Sequence, residues 1–441
     1  MRERIRLKGE FIKNVFTLMT GTIAAQLFLV AVSPILTRIY TPADFGVLAL
    51  FTALNSVLSI VAAGRYETAI MLPKEDADAL NIVALAAALT LSFSMVMEGI
   101  IYVFFDELIK LANTPLADRW IYLLPLSVTF SAGTQIMILW NNRRKKFKQL
   151  ATSRALYGLG SGTSQCSLGY VPGVSFGLII GNIVGSFLGL VTLIKANLGS
   201  FKAGWPSISW VRIKENAKAY RRFPLFSLWG ALFDTSASQV PLFMIASFFS
   251  VTVTGYFGFT IKVLSLPLFL ISSAVSEVFF QKITQLDTTN PAELRRYVLR
   301  IFTLLTCIAV PFCLLFISFG IEIFSFVFGK NWAQAGQFAG PLSIAAGVRF
   351  MVSPLSVVLN LNHNVKKGAS WQVTYFCTLT TVLLTFSDQP IDVFLHAFVA
   401  HEVVLFSIYF IVIVRASKHR KAIDADDTSG TLAVDTNAHT K

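Results

Sequence analysis

Charge is what this sequence has least of. Asp, Glu, Lys and Arg make up 14% of its 441 residues, against about 25% in an ordinary soluble domain. With 54% of the residues apolar and 39 Phe in the chain, the shortage excludes a water-soluble globular protein, because no core of this length hides so much apolar surface. Cysteine is equally sparse: Cys166, Cys307, Cys313 and Cys377 all lie in apolar stretches, with no C-x-x-C or Cys/His spacing. That excludes a thiolate metal site or redox motif and leaves unpaired core thiols. His363, His396, His401, His419 and His439 are scattered, and there is no nucleophile elbow or phosphate loop. Neither a catalytic constellation nor a cofactor is therefore expected.

What the chain does have is long apolar runs. A bilayer core of about 30 Å needs about 20 apolar residues of helix, and the runs are continuous rather than alternating, which favours helices over barrel strands. The expected spans are Val15–Leu36, Phe45–Ala63, Ile82–Phe105, Ile121–Trp140, Ala151–Val171 and Val174–Ile194, then Phe226–Phe249, Val253–Phe280, Val298–Phe319, Phe338–Leu361, Trp371–Phe386 and Val393–Val414. The first run exceeds the roughly 7–15 residues of a signal-peptide core and lacks a cleavage site, so it is expected to stay in the mature chain. The fold expected is an all-α polytopic membrane protein of about twelve transmembrane helices in two six-helix bundles. Residues 1–194 and 226–414 form the bundles, 195–225 a cytoplasmic linker, and 415–441 a polar, disordered tail.

The net charge of +13 does not point to nucleic acid, because the basic residues sit in short segments between apolar runs and so report orientation. One side receives Arg143, Arg144, Lys145, Lys146 and Lys148, the stretch from Lys202 to Arg222, and Arg295 and Arg296; the other receives only Arg38, Lys110, Arg119 and Lys330. Both termini are therefore expected in the cytoplasm. External links such as Tyr170–Gly173, Phe249–Thr252 and Ser387–Asp392 leave no room for the hydrophilic domain of a polymerase or glycosyltransferase. Within the linker, Trp210, Ile213, Ala217 and Tyr220 fall on one helical face and Arg212, Lys214, Lys218, Arg221 and Arg222 on the other. Such a helix suits the headgroup layer or serves as a tether.

The two halves carry a weak repeat: Thr41-Pro42-Ala43-Asp44-Phe45-Gly46 aligns with Ser250-Val251-Thr252-Val253-Thr254-Gly255, a polar turn opening the second helix of each half. Gly173, Gly177, Gly181, Gly185 and Gly189 recur at every fourth position, the stripe of a close helix–helix contact. Pro34, Pro125, Pro241, Pro267, Pro311 and Pro354 lie in or near spans and are candidate bending points, Pro34 and Pro267 foremost.

Ionisable residues inside a span cost about 2.5–3.5 kcal/mol at a helix centre and so tend to have a use. The candidates are Lys262, Glu277, Arg349, Glu98, Asp234 and Glu402, with Arg65 and Glu67 just past the second span. Lys262 is too deep to reach the interface easily, and Arg349 offers two donors to a diphosphate in the fork geometry of guanidinium. The alternative for each is an interhelical ion pair, with Glu98, Asp234 and Glu402 as the anions, and for Arg65 and Glu67 a surface pair. Gln26, Asn55, Gln135, Gln239 and Asn360 either bond sugar hydroxyls in a wet cleft or bond one another between helices.

The stretches LTRIYTPADFG (Leu36 to Gly46), RYETAIMLP (Arg65 to Pro73) and TGYFGFTIKVLSLPL (Thr254 to Leu268) resemble bacterial polysaccharide-biosynthesis flippases, the O-antigen and exopolysaccharide branch of the multidrug/oligosaccharidyl-lipid/polysaccharide exporter superfamily. The resemblance implies a V-shaped, MATE-like carrier in the bacterial inner membrane that moves an undecaprenyl-diphosphate-linked oligosaccharide by alternating access. It also implies membrane lipids as surroundings, H+ or Na+ as coupling ion and contact with polymerase machinery. The cationic cleft position it carries over is Lys262, then Arg65. A cation-coupled multidrug antiporter is the alternative, although the first-helix acid many such antiporters use has no counterpart between Val15 and Leu36. The charge bias predicts that alkaline phosphatase fused after Arg144 is inactive and fused after Ser387 is active; the reverse pattern would refute the orientation.

Overall fold

Hydrocarbon offers a backbone no hydrogen-bond partners, so each apolar run closes its bonds internally as a helix. The computed structural model describes residues 21, 23–107, 120–171, 176–285, 291–360 and 365–416. Among the described residues there are helices and turns and no strand. The first half holds α1 (Ile23–Ile39), α2 (Pro42–Ala62), the single turn α3 (Tyr66–Ala69), α4 (Asp76–Val103), α5 (Leu124–Arg143), α6 (Phe147–Gly169) and α7 (Gly177–Lys195). The connection carries α8 (Leu198–Gly204) and α9 (Trp210–Ala219). The second half holds α10 (Leu228–Phe248), α11 (Val251–Gln285), α12 (Pro291–Phe328), α13 (Ala333–Val352), α14 (Val365–Thr385) and α15 (Ile391–Ala416).

Apart from the short α3, α8 and α9, every long helix meets one expected span, including the Gly- and Ser-rich fifth. Eight stretches are long and apolar enough to cross a membrane by themselves; α6, α10 and α14 carry more polar side chains and rely on their neighbours. The beginning of the first span, Gly173, the Glu277 and Asn360 side chains and the polar tail lie outside the described residues.

The weak repeat has a physical counterpart. Thr41 caps α2 by accepting from the Asp44 N–H at 3.3 Å while the Asp44 carboxylate accepts from the Thr41 N–H at 2.8 Å, a capping box. At the equivalent place Ser250 accepts from the Val253 N–H at 3.2 Å. Four residues into each helix the two cross with almost nothing between them. A Cβ on Gly46 would fall on the carbonyl of Val251, and one on Gly255 on the carbonyl of Pro42. Each repeat glycine thus faces the residue four positions before the other, as a two-fold relation between the halves requires.

The crossing is sealed by an apolar core drawn from both halves. Trp332 is fully buried, donates from Nε1 to the Thr37 carbonyl at 3.1 Å and meets Phe45 edge-on at 5.0 Å, while Phe259 packs against Phe45, Phe324 and Phe328. The opposite end gathers the basic segments. Arg143 pairs with Asp76 at 3.0 Å and donates to the Pro73 carbonyl at 2.8 Å; Lys146 donates to the Ala196 carbonyl at 2.9 Å, and Asn81 to the Ser207 carbonyl at 3.0 Å. The glycine stripe of α7 lies on α6, and a Cβ on Gly185 would come within 2.7 Å of the Tyr157 carbonyl, so the stripe is a packing face.

Three details differ from expectation. The Ile213, Ala217 and Tyr220 face of α9 turns inward, the Ala217 carbonyl accepting from the Tyr66 hydroxyl at 3.0 Å, so on α9 itself Trp210 and Val211 are the large apolar residues left exposed for a headgroup layer. The thiols are free, yet Cys307 and Cys377 are exposed rather than core. Finally, α11 continues through Pro267 as one helix and the departure in α12 falls at Phe319 rather than Pro311, next to Gly320, where a Cβ would meet the Gly336 carbonyl of α13 at 2.8 Å. The crossing predicts that Gly255→Ala lowers the melting temperature in detergent by several degrees. Gly99→Ala and Gly230→Ala, where an added Cβ meets open space, should be neutral or mildly stabilising because Ala is the better helix former.

Candidate functional site

Small residues decide where the second half is hollow. On α13, Ala345, Ala346 and Arg349 share a face at helical spacing. With Leu268 and Phe269 of α11 and Phe398 and Glu402 of α15 they border a cavity of about 280 Å³ whose walls are mostly apolar. A second cavity, also about 280 Å³, is lined by Asp234 and Ser238 of α10, Tyr375 of α14 and Tyr409 of α15, and Arg349 lines it too. The guanidinium therefore stands between two hollows.

Arg349 is held from behind. Its Nη2 donates to the Tyr375 hydroxyl at 2.6 Å and to the Glu402 carboxylate at 3.1 Å, and the Tyr375 hydroxyl donates to the other Glu402 oxygen. The guanidinium also lies over the rings of Phe406 at 5.5 Å and Tyr375 at 5.9 Å. Exposure divides the pair unequally: the Glu402 side chain is 1% exposed and that of Arg349 43%. Glu402 is the buried anchor, while Nε and Nη1 of Arg349 make no protein hydrogen bond among the described residues and stay accessible. His401 supports the anchor, with Nδ1 3.8 Å from Glu402 and Nε2 3.0 Å from the Thr378 hydroxyl. The ion-pair alternative for Arg349 and the binding alternative are both compatible with this geometry, because the pair uses only one edge of the fork.

Lys262 lines neither cavity. It stands on the face of α11 that carries Ser265 and Phe269, roughly 16 Å along the helix from Val251 at 1.5 Å per residue, and no described side chain pairs with it. Its side chain is exposed. Asp234 faces Arg349 across the second cavity without an ion pair. Gln239, one turn on, donates only to Ser238, and Gln26 on α1 makes no side-chain hydrogen bond among the described residues. Glu98 and Gln135 are exposed on α4 and α5 and line none of these cavities.

Arg65 and Glu67 are not part of this group. They lie in the turn after α2, where Arg65 takes a left-handed backbone with φ 62° and pairs with Glu67 at 3.5 Å. Burial raises the Glu67 carboxyl above the usual carboxylate range, outweighing Arg65. The sequence does not single out Tyr375, which lies mid-span, or Arg154, which follows the basic loop. Arg154 falls one turn inside the expected start of the fifth span, at Ala151, and that position was the available signal. Among the described residues no group of three or more His, Cys, Asp or Glu could hold a metal.

Among the described residues, twelve long helices in two halves, with hollows and a charge network between them, define a multi-pass membrane protein fold. The chain is similar in structure to the lipid II flippase MurJ in its inward closed conformation, with a TM-score of 0.72 and 14% identity over 92% of this chain and 87% of that one. It is also similar to the Vibrio cholerae MATE transporter VcmN in the bent form, with a TM-score of 0.58 and 11% identity over 95% and 99%. A curated relative, the succinoglycan biosynthesis transport protein ExoT of Rhizobium meliloti, is 23% identical over 354 residues, 79% of this chain and 68% of that protein. Residues 35–337 match the family of polysaccharide biosynthesis proteins, and the chain belongs to that family.

A carboxyl whose pKa rises on folding stabilises the fold below its unfolded pKa and loses that contribution as pH climbs through the raised value. Glu67→Gln is therefore expected to melt higher than wild type near pH 8, the gap closing toward about pH 4 where the native carboxyl is protonated. A gap that stays constant with pH would contradict this account.

Proposed function

We propose that this protein is a flippase for a polyprenyl-diphosphate-linked oligosaccharide, an O-antigen or exopolysaccharide repeat unit on undecaprenyl diphosphate, in the bacterial inner membrane. The observation that carries the reading is Arg349: a guanidinium fixed by a buried carboxylate and a tyrosine, with its free edge beside a cavity whose walls are mostly apolar. That pairing of one oriented cation with apolar walls suits an amphiphile with an anionic junction. A diphosphate takes the fork of Arg349 and the charge of Lys262, while Leu268, Phe269 and Phe398 offer surface to the first isoprene units.

Family membership and the curated relative's name support polysaccharide precursors as the cargo class. The physical task is to move sugar hydroxyls through a protein interior while the polyprenyl tail remains in lipid, which avoids leaving polar groups unpaired in hydrocarbon. Alternation follows from two bundles, 1–194 and 226–414, rocking about the crossing of α2 and α11. The end bearing Arg143 and Lys146 faces the cytoplasm by its charge, and the coupling ion is H+ or Na+.

In proteoliposomes supplied with a fluorescent undecaprenyl-diphosphate-linked oligosaccharide, Arg349→Gln is expected to slow translocation at least about ten-fold, since charge-assisted hydrogen bonds contribute about 1.5–3 kcal/mol. Lys262→Ala is expected to reduce surface polysaccharide at normal protein levels. Wild-type rates in both variants, or wild-type protein that extrudes ethidium and ignores the lipid, would overturn the proposal.

A further inference from the structure

The first half contains a hollow of a different character. Between α2, α5, α6 and α7 lies an unsealed cavity of about 310 Å³ in which, of the lining residues, only Ile138, Leu150 and Gly189 lack a polar side chain. Its walls include Asn55, Ser131, Thr134, Arg154, Tyr157 and Asn182 and no acidic residue. Some of this polarity is helix-to-helix bonding: Asn55 donates to Ser131 at 2.9 Å, and Asn182 to the Tyr157 hydroxyl at 3.2 Å. Packing does not account for all of it. The Asn55 Oδ1 and the Thr134 Oγ1 have no hydrogen-bond partner and essentially no exposed surface, a condition that costs stability until a side-chain rotation brings them to a ligand or ordered water in the cavity.

The chemistry of the walls narrows the ligand. With no carboxylate and with Arg154 in the lining, the cavity does not suit a cation. An apolar drug would leave amides and hydroxyls unpaired. Neutral donors and acceptors that alternate around a small hollow, with an aromatic ring and a guanidinium at the wall, suit a ring of hydroxyl groups. The volume lies at the low end of small-molecule sites, about 300–1,000 Å³, which fits a single sugar residue and not a whole repeat unit.

We infer that this cavity binds one sugar residue of the lipid-linked oligosaccharide and is where the transporter distinguishes glycans. The inference rests on the flippase reading and adds a second point of attachment, in the half opposite Arg349. The helix between them is α2: Thr52 and Asn55 line the polar cavity, and Leu50 and Ala53 of the same helix pack into the core of the second half. A headgroup held by its diphosphate in one half and by a sugar in the other spans the two bodies that move, so only a lipid with both parts engages both.

The test uses full-length protein in nanodiscs and two probes: undecaprenyl diphosphate without sugar, and the lipid-linked oligosaccharide extracted from cells lacking the transporter. Thr134→Val is nearly isosteric and removes an unpartnered hydroxyl, so a merely structural role predicts unchanged or higher melting temperature and unchanged binding. The inference predicts about ten-fold weaker binding of the glycan lipid, the worth of one hydrogen bond to a ligand, with binding of the sugar-free lipid unchanged. Asn182→Leu should behave alike. Wild-type affinity for the glycan lipid in both variants, or equal losses for both lipids, would overturn the sugar pocket while leaving the flippase reading intact. Wild-type protein that binds neither lipid would overturn the flippase reading and the pocket with it.

Discussion

The two halves of this protein meet where two helices cross backbone to backbone. Gly46 and Gly255 let α2 and α11 approach until the carbonyls of Val251 and Pro42 occupy the space a side chain would need. In a bilayer, where lipid tails are as apolar as leucine, such close contact replaces the hydrophobic effect as the source of helix association. Trp332, Phe45 and Phe259 then close the same end with interlocked rings. Beyond that seal α11 borders the mostly apolar cavity of the second half and α2 the polar cavity of the first.

The charges inside follow from a second constraint. A carboxylate as buried as Glu402 is tolerated only when its oxygens are bonded, and Arg349 and Tyr375 together satisfy it. Exposure is divided so that the acid is shut away and the base keeps an accessible edge, which converts a structural pair into an oriented donor. Lys262 is the complementary case, a cation with space beside it and no partner among the described side chains. The first half lines its hollow mainly with neutral amides and hydroxyls, beside the guanidinium of Arg154.

Much of the architecture was legible in the sequence because a span announces itself: about 20 apolar residues bounded by charge need no knowledge of their neighbours. Pro42–Ala62 and Ile391–Ala416 fall within three residues of their expected positions, and the glycine stripe of α7 was read for what it is. The candidate site was legible only in part. Lys262, Arg349, Asp234 and Glu402 stood out as charges at depth, but nothing in the chain order says that Glu402 meets Arg349 or that Arg65 and Glu67 pair apart from them. Arg154 was hidden by its neighbours, since one more cation after a basic loop looks like part of the loop. Tyr375 was hidden because an uncharged residue in a span carries no cost that draws attention.

By itself the sequence determined the solvent, the number of helices, the sharing out of basic residues between the two ends and the family resemblance. These are properties of local composition, fixed by how each segment partitions between water and hydrocarbon. The tertiary structure alone decided which face of each helix turns inward, and so which polar side chains converge on a cavity and which charges neutralise one another. The reason is geometric: with lipid on one side and protein on the other, a helix face acquires meaning only from the helix packed against it. That is why a single shared glycine in an otherwise faint repeat turned out to mark the contact on which both halves depend.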